Sequence, residues 1–469
     1  SYYAPQEKDR FDTRISGKFE GIGARLQRKN EQVHIIEIIP GGPVWRDNLL
    51  KVGEIILKVA QKDEDPIEIG NMRLDDAVNL IKGPKGTKVY LTVKKVDGII
   101  EEVEIIRDVV ELEESYAKSS LIIKDSNKYG LIELPQFYID FDDYSNRNAA
   151  IDVKKEINQL KEKDVQGIII DLRNNGGGSL KTVVDITGYF IKDGPVVQVK
   201  STGGRKEILR DNDSSIIWEG PLVILVNEFS ASASEILAAA LQDYKRAIVL
   251  GSKQTFGKGT VQNMVDLNRI ISGSTYGDLG AVKLTTDKFY RINGGSTQLE
   301  GVKSDVVILD RYSYIDLGEK DQENPLSWDY IEPTTFDFWH YEIDYKSMLE
   351  RSENRMKSSQ YISLIDEQAK WVKQQQDEYD YTLNYNNLYE EKEFEKKKIN
   401  KFKKLNEFES GLEFEWLPEP GKKMINKEIT LRRNRWIKSL KADFYIDEAT
   451  NILEDLNSKN YNKLAQLKK

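Results

Sequence analysis

The sequence predicts a multidomain α/β protein, and three changes of pattern along the chain support this prediction. Short apolar runs separated by Gly/Pro turns fill the first hundred residues, and apolar strands alternate with helices from about residue 115 to residue 310. Beyond residue 311, charged helix-forming residues dominate. The length of 469 residues also exceeds what a single hydrophobic core organises.

These changes divide the chain into four expected segments. Residues 1–16 form an N-terminal segment and residues 17–110 a small β-rich domain. Residues 111–310 are expected to form an α/β core, and residues 311–469 a helical C-terminal domain with a solvent-rich surface.

Composition excludes several classes of function. The 78 acidic and 69 basic residues give a net charge of −9, so nucleic acid is a poor partner. No apolar run approaches the length of a membrane span or a signal peptide. With no cysteine and two histidines, the sequence excludes disulfides and thiolate metal sites, and it argues against a histidine-rich metal centre. We expect no metal and no organic cofactor.

The β-rich domain is expected to contain four strands and one helix. The strands are assigned to runs rich in Val, Ile and Leu at residues 33–39, 54–60, 88–94 and 102–106. The helix is assigned to residues 75–81, where apolar side chains recur at helical spacing.

The α/β core is expected to contain a parallel sheet covered by helices on both faces, because its strands are almost continuously apolar. Strands are assigned to residues 129–134, 165–171, 221–226 and 247–251, and helices to residues 148–161, 179–191 and 234–243. The helical patterns of the C-terminal domain cover residues 348–377 and 389–408.

A glycine-rich turn, Gly21-Ile22-Gly23-Ala24, precedes the first long strand of the β-rich domain. Two glycines separated by one apolar residue allow successive backbone N–H groups to converge into an anion-binding nest. Beside an open strand edge, such a nest suits the C-terminal carboxylate of a peptide. A tight β-turn without a ligand would explain the same two glycines.

The order of the pieces resembles a PDZ domain of bacterial proteases. The glycine turn, a strand, the run Pro40–Trp45, the segment Gly53–Leu57, the helix at residues 75–81 and a final pair of strands follow one another. The resemblance implies that Gly21, Ile22, Gly23 and Ala24 form the floor of a peptide-carboxylate pocket. The helix would form the opposite wall.

Three serines lie on alternate positions, Ser230, Ser232 and Ser234, between an apolar strand and an alanine-rich helix. The residues alone leave two interpretations open. Ser232 with Glu235 three positions later fits a capping box. The same helix start would also suit a nucleophile, because it favours negative charge on a tetrahedral intermediate.

A serine nucleophile needs a base within hydrogen-bond reach. The histidines, His34 in a predicted strand and His340 in the C-terminal region, are interpreted as packing or surface residues. Lys258 lies between two glycines, where Phe256 and Val261 could provide the dry surroundings that lower a lysine pKa. A surface lysine at a hairpin remains the alternative for this stretch taken alone.

Four blocks together resemble the carboxy-terminal processing, or tail-specific, proteases. They cover residues 171–178, 227–240, 242–251 and 255–262, and the match continues more weakly into the C-terminal region. The resemblance implies a core of the crotonase-like or ClpP-like kind. It also implies a serine endopeptidase with a Ser-Lys dyad that recognises the C-termini of its protein substrates.

The resemblance assigns roles residue by residue. Ser232 aligns with the nucleophile, Lys258 with the base, and Gln262 with the residue that holds the lysine side chain. The oxyanion would be met by the N–H of Ala233 and of a loop glycine, Gly176 or Gly177. Asp243 aligns with an acidic position sometimes counted in a relay, and we interpret it as structural. The gap between serine and lysine is one residue longer than expected, within the loop before Lys258.

The resemblance also implies a setting for the protein. Relatives act in the bacterial periplasm or cell envelope, and similar proteases work with helical-repeat adaptor lipoproteins. The N-terminal segment, residues 1–16, is interpreted as the remnant of a truncated helical region. A non-catalytic scaffold that binds peptides or other ligands is the alternative function for this fold.

Overall fold

The computed structural model describes residues 1–140, 143–271, 277–339, 345–378, 382–417 and 427–467. The chain forms two compact units, one of Asp9–Ser115 and one of Ser1–Lys8 with Tyr116–Lys469. The first elements along the chain are strand β1 (Tyr2–Tyr3) and helix α1 (Pro5–Ser16).

The unit of residues 9–115 is an antiparallel β structure with two helices. Its elements are β2 (Lys18–Gly21), β3 (Ala24–Lys29), β4 (Gln32–Ile38), α2 (Pro43–Arg46), β5 (Ile55–Gln61), β6 (Ile67–Glu68), α3 (Leu74–Ile81), β7 (Lys88–Lys94), β8 (Ile100–Ile106) and β9 (Asp108–Glu111). The main sheet has the order β3-β4-β5-β7-β8, with β6 on β5, and β2 pairs with β9. The four strands and the helix predicted for this region are confirmed.

The periodicity of the sequence explains these elements. In β7, Val89, Leu91 and Val93 are buried while the residues between them are more exposed, which is the period of a half-buried strand. Helix α3 buries Ala77 and Ile81, four residues apart, against the same core. Fully burying a side chain such as Leu91 is worth about 2 kcal/mol.

The larger unit contains the remaining elements. They are β10 (Lys118–Lys124), β11 (Asn127–Glu133), α4 (Ala149–Lys161), β12 (Ile168–Asp171), α5 (Leu180–Gly188), β13 (Gly194–Ser201), β14 (Lys206–Asp211), β15 (Leu222–Val226), α6 (Ala233–Asp243), β16 (Ile248–Gly251), β17 (Thr260–Asp266), α7 (Leu267–Ile270), β18 (Ala281–Tyr290), β19 (Val306–Val307), α8 (Tyr345–Ser358), α9 (Gln360–Asp377), α10 (Tyr385–Phe402), β20 (Glu413–Trp416), α11 (Lys427–Lys441) and α12 (Phe444–Leu467). Short 3₁₀ turns cover Glu319–Asp321 and Lys403–Glu407 in this unit, and Glu113–Ser115 at the end of the smaller unit.

A seven-stranded sheet with the order β19-β16-β15-β12-β11-β10-β20 forms the centre of this unit. From β19 to β11 the neighbouring strands are parallel, whereas β10 and β20 are antiparallel additions at one edge. The predicted parallel sheet is therefore confirmed.

Both faces of this sheet are buried, which explains the continuous apolar strands. In β12, Ile168 and Ile170 join the hydrophobic cluster that includes α4, α5 and α6. Ile169 points the other way and joins the cluster that includes α8 and α12. Because successive side chains alternate between faces, a strand covered on both sides needs an apolar residue at every position.

A second sheet was not expected from the sequence. It has the order β1-β18-β13-β14, with β17 paired to β18. Strand β17 mixes Thr260, Gln262 and Asn263 with apolar residues and leaves most of its positions partly or fully exposed. It therefore lacks the apolar run by which the other strands are recognised.

The C-terminal region departs from the prediction in two ways. The single helical pattern at residues 348–377 forms two helices, α8 and α9, because the Ser359 hydroxyl accepts the Ile362 N–H and caps a new helix. The C-terminal region was also expected to have a solvent-rich surface, but helix α12 packs against the central sheet. Its residues Ile446, Ala449 and Ile452 are fully buried there. Among the helices described, none has the length and hydropathy that crossing a membrane requires.

Candidate active site

Ser232 lies at the start of α6, directly after the loop that leaves β15. Its backbone has φ +57° and ψ −112°, a sparsely populated conformation for a residue with a side chain. The neighbouring hydroxyls are used internally, because Ser230 donates to the Leu172 carbonyl at 2.8 Å and Ser234 to the Asn175 carbonyl at 2.8 Å. Both neighbours are fully buried, whereas Ser232 is partly exposed.

A single buried carboxylate, that of Glu235, joins the serine to the loop of the lysine. Its Oε2 accepts the Ser232 N–H at 2.7 Å and the Lys258 N–H at 3.0 Å. Its Oε1 accepts the Gly257 N–H and the Thr255 hydroxyl, each at 2.7 Å. Burial raises the pKa of Glu235 to about 7, although these four donors favour the charged form. The capping-box pattern pointed to the bond with Ser232, but the sequence did not reveal the bonds to the second loop.

Lys258 has the environment that a lysine base requires. Burial lowers the pKa of Lys258, the charge of Lys283 adds to this effect, and Glu319 and Glu235 oppose it. The Lys258 ammonium donates to Gln262 Oε1 at 3.1 Å, so the structure brings these two predicted residues together. Within the described part of the chain, no hydrogen bond joins Lys258 to Ser232.

The backbone around Lys258 is held by residues that follow β18. The Thr297 hydroxyl donates to the Lys258 carbonyl at 2.9 Å, and the Leu299 N–H donates to the Gly257 carbonyl at 2.7 Å. Gln298 Oε1 accepts the Gly259 N–H at 2.8 Å. No local signal in the sequence marks these residues, because the contact depends on strands that are distant along the chain.

The predicted oxyanion loop lies against Ser232. A Cβ on Gly177, which has φ +102°, would lie 2.8 Å from the Ser232 Cβ, so only glycine fits there. The Gly177 N–H already donates to Asn175 Oδ1 at 2.9 Å. Among the described residues the N–H groups of Gly176 and Ala233 have no hydrogen-bond partner. This difference favours Gly176 over Gly177 as the second donor to an oxyanion.

Asp243 is not brought to this site. It is the last residue of α6, and the rise of a helix places it about 16 Å from Ser232 along the axis. Its carboxylate accepts from Arg291 at 2.6 Å and from Asn293 at 2.9 Å. This ion pair fixes the chain after β18, which agrees with the structural interpretation of Asp243.

The unit of residues 9–115 contains the predicted glycine turn between β2 and β3. Gly23 has φ +81°, and a Cβ there would approach Gly42 Cα to 2.9 Å, so the close passage requires glycine. The carbonyls of Ile22 and Gly23 accept from Val44 at 3.0 Å and Ile39 at 2.9 Å. The N–H groups of Ile22 and Gly23 have no partner within the described ranges, as a carboxylate nest requires.

Ala24 and the two histidines are the remaining residues that the sequence singled out. Ala24 is the first residue of β3, and α3 contacts β3. His34 lies in β4, paired with Gln27 and Ile55. His340 lies outside the described residues.

Taken together, the β-rich unit with its glycine turn and the core with its helix-start serine define a multidomain α/β protein with a PDZ-like domain. Three family models match the chain: PDZ domain at residues 12–94, peptidase family S41 at residues 128–308, and C-terminal domain of tail specific protease at residues 312–458. The chain therefore carries, in this order, a PDZ domain, a peptidase family S41 domain and a C-terminal domain of tail-specific protease. The predicted family and fold class are confirmed.

Curated relatives agree with this assignment. The chain is 38% identical over 72% of its length to the tail-specific protease of Haemophilus influenzae, and it covers 47% of that protein. It is 33% identical over 65% of its length to the carboxy-terminal processing protease CtpA of Bacillus subtilis and covers 60% of it. The chain thus spans about half to two thirds of the length of these relatives.

Proposed function

We propose that this protein is a serine endopeptidase of the C-terminal processing type. The observation that carries the proposal is the buried Glu235 carboxylate, which bonds the N–H of Ser232 and the N–H of Lys258 and so fixes both loops to one group. The alternative of a non-catalytic scaffold does not account for a partly exposed, strained serine that is linked through Glu235 to the loop of a lysine with a lowered pKa.

The proposed mechanism uses Ser232 as nucleophile and Lys258 as general base. The neutral amine of Lys258 takes the proton of the Ser232 hydroxyl while Oγ attacks the scissile carbonyl. The N–H groups of Ala233 and Gly176 stabilise the oxyanion. Collapse of the intermediate forms an acyl-enzyme, and the leaving amine takes the proton back from Lys258. Water then gives a proton to the same lysine and attacks the acyl carbon. When this second intermediate collapses, Ser232 Oγ takes the proton back from Lys258, which releases the carboxylate product and restores the serine hydroxyl and the neutral amine.

Gln262 supports this cycle by holding the Lys258 side chain in place in both of its protonation states. Its Oε1 accepts a hydrogen bond from the Lys258 amine at 3.1 Å, and this bond can persist whether the amine is charged or neutral. Turnover in this proposal requires Lys258 to move from this position to the Ser232 hydroxyl, since no hydrogen bond joins the two in the described part of the structure.

We further propose that the glycine turn at Gly21–Ala24 binds the C-terminal carboxylate of the substrate, with an extended peptide lying between β3 and α3. The free N–H groups of Ile22 and Gly23 support this role. The natural setting proposed is the bacterial periplasm or cell envelope, with a helical-repeat adaptor lipoprotein as a partner. The bacterial relatives support the bacterial part of this setting.

The direct test compares Ser232→Ala and Lys258→Ala with the intact chain on a loosely folded protein substrate. Each variant should lower kcat/KM by roughly a thousandfold or more while circular dichroism and Tm remain close to those of the parent. Lys253→Ala, which changes an exposed lysine five residues upstream of Lys258, is the matched control and should retain full turnover. Full turnover by either site variant would overturn the mechanism.

Recognition of the C-terminus has a separate test. Peptides that end in a free carboxylate should bind about tenfold more tightly than the same peptides ending in an amide, because charged hydrogen bonds to the nest are lost. Equal affinity for the two peptides would contradict the role of the glycine turn but would leave the catalytic proposal standing.

A further inference from the structure

Glu319 is a buried carboxylate outside the region that matches peptidase family S41. It begins the short 3₁₀ turn Glu319–Asp321, within the matched C-terminal domain of tail-specific protease. The Glu319 N–H donates to the Phe256 carbonyl at 3.0 Å. A Cβ on Gly318, at φ +120°, would lie 2.3 Å from the same carbonyl oxygen. The segments that contain Gly318 and Phe256 therefore touch at a position that requires glycine.

A chain of hydrogen bonds leads from this carboxylate to the loop of the lysine. The fully buried Gln298 donates from Nε2 to Glu319 Oε1 at 3.2 Å and accepts the Gly259 N–H on Oε1 at 2.8 Å. The other carboxylate oxygen, Oε2, accepts from Gln322 at 3.1 Å. The Gly259 N–H fixes which side of the Gln298 amide faces the loop, so the partner at position 319 must be an acceptor.

Glu319 also acts on Lys258 through its charge. The charged groups that face the lysine are the carboxylates of Glu319 and Glu235 and the ammonium of Lys283. The two carboxylates favour the protonated amine, whereas Lys283 and burial favour the neutral amine. Two of these groups lie in the S41 core, and Glu319 is the contribution of the C-terminal domain.

We propose that Glu319 is a positioning residue of the active site, which fixes the backbone around Lys258 through Gln298. Its negative charge also favours the protonated form of the Lys258 amine. The inference rests on the proposed function of Lys258 as general base. It means that the C-terminal domain completes the protease site and that the S41 core alone lacks one of the groups that control its base.

The experiment uses the full chain and measures kcat and KM as functions of pH for Glu319→Gln. This variant should lower kcat by about tenfold with little change in KM, because an NH₂ group replaces one of the two oxygens that accept from Gln298 and Gln322, and this weakens the support of the loop. The acid limb of the kcat profile should move to lower pH by about half a unit or more, because losing a nearby negative charge makes the lysine a weaker base. Glu323→Gln removes an exposed carboxylate from the same segment and should change neither quantity.

A paired exchange tests the direction of the hydrogen bonds. Glu319→Gln combined with Gln298→Glu keeps one carboxylate, one amide and a complete set of donors and acceptors. The double variant should recover most of kcat and move the acid limb back toward that of the parent. If Glu319→Gln alone does not fold, the double variant compared with Gln298→Glu carries the same test.

The outcomes separate this inference from the proposed function. A lower Tm with an unchanged acid limb would show a merely structural Glu319 and would overturn the inference, as would a double variant no better than the single ones. If Ser232→Ala or Lys258→Ala retains turnover, the proposed mechanism itself fails. Loss of turnover in those two variants with a normal pH profile in Glu319→Gln refutes the inference alone.

Discussion

The two ends of α6 carry carboxylates that are used in different ways. At the first turn, Glu235 is fully buried and accepts four hydrogen bonds that join the Ser232 and Lys258 loops. At the last turn, Asp243 forms an ion pair with Arg291 at 2.6 Å. One carboxylate organises the proposed chemistry, and the other fastens the helix to its surroundings.

The helix dipole explains part of this difference. A negative charge in the first turn is favoured by the unsatisfied N–H groups there, so Glu235 can be held by neutral donors alone. A negative charge in the last turn is disfavoured, and Asp243 therefore needs the cationic partner that Arg291 provides. Closeness in sequence to a nucleophile therefore does not by itself make an acidic residue part of a catalytic relay.

The largest effect that tests this comparison is expected at Glu235. Glu235→Gln should lower kcat/KM by about a hundredfold, because an amide has one acceptor oxygen for donors that now use two. The NH₂ group would face either the N–H pair of Ser232 and Lys258 or the donors Gly257 and Thr255. Activity within threefold of the parent, with a normal Tm, would show that the carboxylate does not organise the site.

A smaller effect, mainly on stability, is expected at Asp243. Asp243→Asn should lower the free energy of unfolding by about 2 kcal/mol, because Arg291 keeps its charge in a partly buried site without a counterion. The folded fraction should keep the acid limb of its pH profile, which thermal unfolding together with kinetics would show. A shift of that limb as large as the one expected for Glu319→Gln would instead place Asp243 in the relay.

The smallest expected effect is on the pH dependence of stability, and it concerns Glu228 in the loop that leads to Ser232. Burial and the neighbouring Asp310 raise the pKa of Glu228, and within the described ranges Glu228 Oε2 has no hydrogen-bond partner. Since the folded chain holds this proton more tightly than the unfolded chain, the stability from this group is complete at acidic pH. It is lost as the pH rises from the ordinary carboxyl range to about 8.

Glu228→Gln should therefore flatten the dependence of stability on pH, and it should stabilise the chain by about 1 kcal/mol above pH 8. Urea unfolding at pH 5 and at pH 8.5 measures both effects. The same pH dependence in the variant and in the parent would mean that Glu228 does not titrate in this range.

The sequence predicted the parts of the fold whose signal is local. Strands such as β12 and β15 are apolar throughout because both faces of the sheet are covered, and this pattern was sufficient to predict a parallel sheet. Strands β17 and β18 were not predicted, because a half-exposed ribbon with mixed polarity has no distinctive pattern. The end of α8 was also missed, since the cap at Ser359 interrupts a helical pattern without a glycine or proline.

In the candidate site, too, the residues with a local sequence signal were predicted and those set by tertiary packing were not. Ser232, Lys258 and Gln262 were predicted from short sequence blocks. In the structure Gln262 accepts a hydrogen bond from Lys258, and Glu235 accepts the N–H groups of both loops. Gln298 and Glu319 were not predicted, because their link to the lysine loop depends on packing between segments separated by 21 to 39 residues.

The sequence by itself determined the fold class, the family and the residue types that carry the proposed chemistry. Each of these depends on local pattern or on short blocks of fixed spacing. Only the tertiary structure decided which carboxylates act on Lys258 and which of the two loop glycines keeps a free N–H group. The physical reason is that the charge state of a lysine and the direction of an amide depend on neighbours brought together in space, and neither is encoded by position along the chain.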